Sequence, residues 1–163
     1  MPATITKAIL AAFYMIYYAI LMVMVLFSAR VVFLQYSGVF QGDDPEFAIV
    51  LKYVIYGLMP AGIVAGHFFY RQQLSTIAPT LTLHDRLSKL QVAILVRSAC
   101  LEVAGLFGAV VAFITGDLSF LLFTGIIVAF FLVWRPTVAT ITEDLQLSGD
   151  ERMRLEDPKG EIV

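Results

Sequence analysis

The 163-residue chain is 60% hydrophobic and 15% charged, against about 25% charged residues in an average soluble domain, and its mean hydropathy is +0.85. A formal charge of -2 without a basic stripe excludes a nucleic-acid partner, and the single cysteine, Cys100, excludes an internal disulfide. No C-x-x-C, H-x-x-x-H, glycine-rich phosphate loop or nucleophile elbow occurs, so the expectation is a non-enzymatic protein without metal or cofactor.

The first apolar run covers residues 8–34. It is much longer than the 7–15-residue core of a signal peptide and no A-x-A site follows, which predicts a retained spanning helix. Tyr14, Tyr17 and Tyr18 fall in its inner half and Arg30 near its outer end. An acidic connector, Gln41-Gly-Asp-Asp-Pro-Glu46, has no Lys or Arg. The second run covers residues 47–70, with Lys52 near its outer end, Pro60 at mid-span and His67 one turn from its inner end. Arg30 and Lys52 either snorkel to the interface or meet Asp43, Asp44, Glu46 and Asp117 in a charged rim.

The second connector carries Arg71, Arg86 and Lys89. Within it, Thr82-Leu-His-Asp85 fits a capping box and opens a helix well before the third run, residues 92–115. After Gly116-Asp117 the fourth run, residues 118–134, is at the short end of the range for a span and finishes at Trp134 and Arg135. In the tail, residues 136–163, Pro136 suits the first turn of a helix from Thr137 to about Leu147. Ser148-Gly-Asp-Glu151 opens a last short helix toward Leu155, ended by Asp157-Pro158. Lys7 precedes the first run, while Arg135, Arg152, Arg154 and Lys159 follow the last. The positive-inside rule puts both termini and the second connector in the cytoplasm. The predicted fold is therefore all-α: an integral membrane four-helix bundle over residues 1–135 with a short cytoplasmic helical tail.

Small residues mark where helices approach in lipid. The second run has Gly57, Gly62 and Gly66; the third has Ala104, Gly108 and Ala112 on one stripe, with Gly105 and Ala109 beside it. These predict a close crossing of the two helices, or a homodimer seam. Pro60 frees a carbonyl that a neighbour must satisfy.

Glu102 is the most informative residue. A carboxylate in hydrocarbon costs several kcal/mol unless it is paired, protonated or wetted. Ser98 and Gly105 share its face, whereas Arg97 is about 140° away around the helix. His67, Tyr14, Tyr17 and Tyr18 reach a similar level. Two readings stay open: a buried clamp between helices, or a proton- or cation-handling site that uses Glu102 with His67 or the tyrosines. Haem is not expected, because His84 falls outside the runs and no second span histidine exists. Cys100 fits a small packing residue.

Three stretches are familiar in combination: Leu83-His-Asp-Arg-Leu-Ser-Lys-Leu90; Leu101-Glu-Val-Ala-Gly-Leu-Phe107 leading into Thr115-Gly-Asp117; and Arg135-Pro-Thr137 with Glu143-Asp-Leu-Gln-Leu-Ser148. Together they resemble a group of small, uncharacterised four-span bacterial membrane proteins. The resemblance covers roughly the C-terminal half and implies an inner-membrane location, but it brings no activity. Rotary ATPase proteolipids share the size, the span count and a membrane glutamate, and small multidrug transporters share four spans and a key glutamate. The first have a glycine ladder and duplication absent here, and the second carry their glutamate in the first span. The function expected is a scaffold or accessory subunit in the lipid membrane, homo-oligomeric or docked to a membrane protein through tail residues Leu145, Leu147, Met153 and Leu155. The alternatives are a proton- or cation-coupled carrier and a lipid- or quinone-binding module.

Overall fold

The computed structural model of the chain describes residues 2–38 and 45–156. The acidic connector at 41–44 and the Asp157-Pro158 stop lie outside them. The described chain is helical: α1 (Pro2–Tyr36), α2 (Pro45–Ser75), α3 (Leu83–Thr115), a 3-10 turn (Leu118–Phe120), α4 (Leu121–Val133), α5 (Val138–Asp144) and α6 (Gly149–Glu156). Three stretches are long and apolar enough to cross a bilayer, Ala11–Tyr36, Glu46–Ser75 and Leu83–Thr115. A fourth candidate is a broken pair, Leu118–Val133 and Val138–Asp144, bent by 76°. Its straight part, a three-residue turn plus a 13-residue helix, reaches only about 24 Å at 1.5 Å per residue, against a hydrocarbon thickness of about 30 Å.

Local chemistry sets the helix ends. Thr82 caps α3: its Oγ1 accepts from the Asp85 backbone N–H at 3.2 Å and donates to Asp85 Oδ2 at 2.7 Å. At the other end Gly116 takes φ 72°, a left-handed conformation that a side chain would strain, and its N–H reaches the Ala112 carbonyl at 3.1 Å. Asp117 Oδ1 then accepts from the Ser119 N–H at 2.9 Å, starting the 3-10 turn that reverses the chain into α4. Thr137, not Pro136, begins α5. It is the N-cap, with Oγ1 accepting from the Thr140 N–H at 3.2 Å, so Pro136 lies one residue ahead of the cap. The box at Ser148 forms reciprocally: the Ser148 N–H donates to Glu151 Oε2 at 2.9 Å and the Glu151 N–H to Ser148 Oγ at 3.4 Å.

The helix α3 is the hub. Its buried residues are spread from Arg86 to Ala112, and α1, α2 and α4 all pack on it. The α2 contact is close because Gly62 and Gly66 face α3. A Cβ at Gly62 would sit 2.8 Å from Ala104 Cβ, and one at Gly66 would sit 3.2 Å from the Arg97 carbonyl oxygen. The other small residues serve different neighbours. A Cβ at Gly105 would meet Met24 Sδ of α1 at 2.3 Å and Ile127 of α4 at 3.0 Å, and one at Gly108 would meet Thr124 Oγ1 of α4 at 2.8 Å. Thr124 also donates to the Gly105 carbonyl at 2.7 Å. Ala112 is fully buried, and its carbonyl accepts from Gln35 Nε2 of α1 at 3.2 Å. A Cβ at Gly57 would meet nothing within 4 Å.

The tail folds back onto the bundle. Ile141, Leu145 and Leu155 join Tyr70, Leu87 and Leu90 in one apolar cluster, with Leu147 packed at its edge. Arg86, 6% exposed, ties the layers. Its Nη1 lies 3.3 Å from Glu151 Oε1, and its Nη2 donates to the Leu145 carbonyl. Of the apolar tail residues expected to be offered to a partner, Leu145 and Leu155 are buried and Leu147 is half-buried against their own chain. Only Met153 of that set is exposed.

Candidate functional site

Two charged side chains on consecutive turns of α3 define the site, and they have opposite surroundings. Arg97 is buried. Its guanidinium carbon lies 4.1 Å from the centroid of the Tyr70 ring and 5.5 Å from that of Trp134, while Nη2 donates to the Trp134 carbonyl at 2.8 Å. That carbonyl, at the C-cap of α4, has no helical N–H to bond and carries the negative end of the helix dipole. The cation therefore sits between two π faces and an acceptor that suits it. The Tyr70 hydroxyl donates to Asp144 Oδ2 at the end of α5. One cluster thus gathers α2, α3, the end of α4 and the tail.

His67 is exposed at the edge of this cluster, its ring 5.8 Å from that of Trp134. Tyr17 is buried, packs 5.3 Å from the Phe131 ring and donates its hydroxyl to the Phe131 carbonyl. Tyr18 is exposed and lies edge-on to Tyr17 at 5.9 Å. Tyr14 is half-buried. Cys100 is half-buried beside Gly66, where a Cβ would approach it to 3.3 Å.

Glu102 is half-buried, and among the described residues no hydrogen bond or ion pair reaches its carboxyl. Five steps of about 100° turn it about 140° from Arg97, whose face carries α2 and α4. It stands on the flank of α3 next to α1. One turn toward the tail, Ser98 (2% exposed) shares its strip. Ser98, Ile94 and Leu95 face Phe13, Tyr17 and Ile20 of α1 across a shallow open groove. Of the residues grouped by sequence, Ser98 and Tyr17 line this groove below Glu102, whereas His67 belongs to the Trp134 side. A clamp between this chain's own helices finds no second half among the described residues.

Sequence reasoning considered Arg97 only as a partner for Glu102. The available signal was a lone arginine inside an apolar run, with an aromatic residue at the same end of two neighbouring runs, Tyr70 and Trp134. Among the described residues no three His, Cys, Asp or Glu side chains converge on a metal site. No family model, curated protein or solved structure gives a significant match to the chain.

Proposed function

We propose that the chain is a non-enzymatic integral membrane protein, an accessory or scaffold subunit of a membrane assembly. On this reading α1 to α4 span the bilayer, and the end capped by α5 and α6 lies in the cytoplasm with both termini. The three long apolar helices and the short fourth support it. So does the basic bias of the capped end, with exposed Arg71, Lys89 and Arg135. A bacterial inner membrane as the location rests on the resemblance of the C-terminal half alone.

The single observation that carries the accessory role is the state of Glu102. A carboxyl on the outer flank of a spanning helix, bonded to nothing among the described residues of its own chain, is costly against lipid. A second protein that supplies its partner removes that cost. The carrier alternative draws less support, because the Tyr17 hydroxyl is already bonded to a carbonyl of α4 and His67 faces Trp134.

The test is complex size in the native host. In mild detergent the wild-type chain should migrate in an assembly larger than itself, and Glu102→Gln should release it. A wild-type chain that migrates alone overturns the reading. So does purified protein that drives pH-dependent cation flux into liposomes and loses it on the same substitution.

A further inference from the structure

We propose that the open flank of α3 receives a transmembrane helix of another protein, and that this helix presents a basic side chain to Glu102. The inference rests on the accessory-subunit reading and names the partner class.

The flank is a strip in the most deeply packed helix of the molecule. Val92 is 49% exposed, Leu95 42% and Val103 61%, with Ala99 exposed and Glu102 half-buried on the same side. Measured around the axis from Arg97, α2 packs at Cys100 and Ala104, about 300° to 340°, while α1 lies over Ser98, at about 100°. The strip fills the arc that remains, about 140° to 240°, so it is an open face flanked by α1 on one side and α2 on the other. From Val92 to Val103 it runs about 16 Å, three helical turns. That length suits one crossing helix. Ala99 at its centre lets a second backbone come close, as small residues do at helix contacts in lipid.

Charge complementarity selects the occupant. The strip holds one carboxyl, no cation and no bonded partner for that carboxyl among the described residues. An apolar helix would leave the acid unsatisfied; one with a lysine, arginine or histidine at that depth would satisfy it. A second copy of this chain fits poorly. Strip against strip, two copies would set carboxyl beside carboxyl, and the exposed His67 lies on α2 against Trp134, at the level of Arg97.

The probe is a labelled 21-residue Leu-Ala transmembrane peptide with one arginine at the depth of Glu102, compared with the same peptide bearing leucine there. Association with the full-length protein is read by energy transfer in phosphatidylcholine vesicles. The wild-type protein should bind the arginine peptide roughly tenfold more tightly than the leucine peptide. Glu102→Gln should erase that preference and leave leucine-peptide binding intact, and Ala99→Phe should weaken both. Equal binding of the two peptides, or a preference that survives Glu102→Gln, overturns the proposal. Energy transfer between two wild-type copies that depends on Glu102 also overturns it, in favour of self-association. If the native complex depends on Glu102 while the peptides bind equally, the accessory role stands and the basic helix is excluded. If the native chain migrates alone, the accessory role itself falls.

Discussion

The hydroxyl of Tyr70 donates to the carboxylate of Asp144, so the last turns of α2 are bonded to the end of α5. The same tyrosine ring lies under the guanidinium of Arg97. One side chain therefore serves two partners, one inside the bundle and one in the tail. Tyr70→Phe separates them, since it keeps the ring and removes the donor. It should cost about 1–2 kcal/mol, whereas Tyr70→Ala should cost more because Arg97 also loses a face. Reversible unfolding in mixed detergent micelles reads both; a Tyr70→Phe protein as stable as wild type would show that the bond carries no weight.

Arg97 tests whether shape or charge holds the cluster. A lysine keeps the charge but has neither a flat face for two rings nor the fork that reaches the Trp134 carbonyl. Arg97→Lys should lose about 2 kcal/mol, at least as much as Arg97→Met, because a buried charge without its partners costs more than an apolar replacement. Full stability of Arg97→Lys would count against the stacked geometry.

Two glycines of α2 should respond in opposite ways to the same change. At Gly62 a new methyl meets Ala104 Cβ at 2.8 Å, and at Gly57 it meets nothing within 4 Å. Gly62→Ala should destabilise by about 1–3 kcal/mol through overpacking. Gly57→Ala should be neutral or stabilise by up to about 1 kcal/mol from helix propensity. The pair is read by the same unfolding titration, and equal effects would contradict the crossing described.

Removing the tail exposes apolar surface. Leu145→Ala should cost about 2–4 kcal/mol, and should raise the rate of tryptic cleavage at Arg152 as the cap loosens. Unaltered cleavage would mean that the cap is held by something other than Leu145.

Glu102→Gln should leave the stability of the isolated protein within about 0.5 kcal/mol of wild type, as expected for a side chain with no partner among the described residues. A larger loss would reveal an internal contact and restore the clamp.

Much of this architecture is legible in local chemistry. Thr82 and Asp85 announce the start of α3, Gly116 its end, and Ser148 and Glu151 the start of α6, because caps are short-range hydrogen bonds. The three long helices follow from apolar length. What the order of residues does not carry is which neighbour each face meets. Gly105 and Gly62 are alike as small residues on apolar helices, yet one faces α1 and α4 and the other faces α3. Arg97 and Trp134 are 37 residues apart, and nothing local links them. Leu145 and Leu155 look like surface to offer until α3 lies beneath them. The flank on which Glu102 ends up depends on which sides of α3 three other helices occupy, a choice made by packing as a whole.

The grip of Arg86 on the tail also has a temporal side. Its partners Leu145 and Glu151 follow it by 59 and 65 residues, which a ribosome adding about 5–20 residues per second needs several seconds to supply. Throughout that interval the guanidinium and the leucines around it wait uncovered. Closure of the cap therefore waits on synthesis of α6, and a chain halted before Glu151 would display an unsheathed basic, greasy end to the proteases that clear unfinished products.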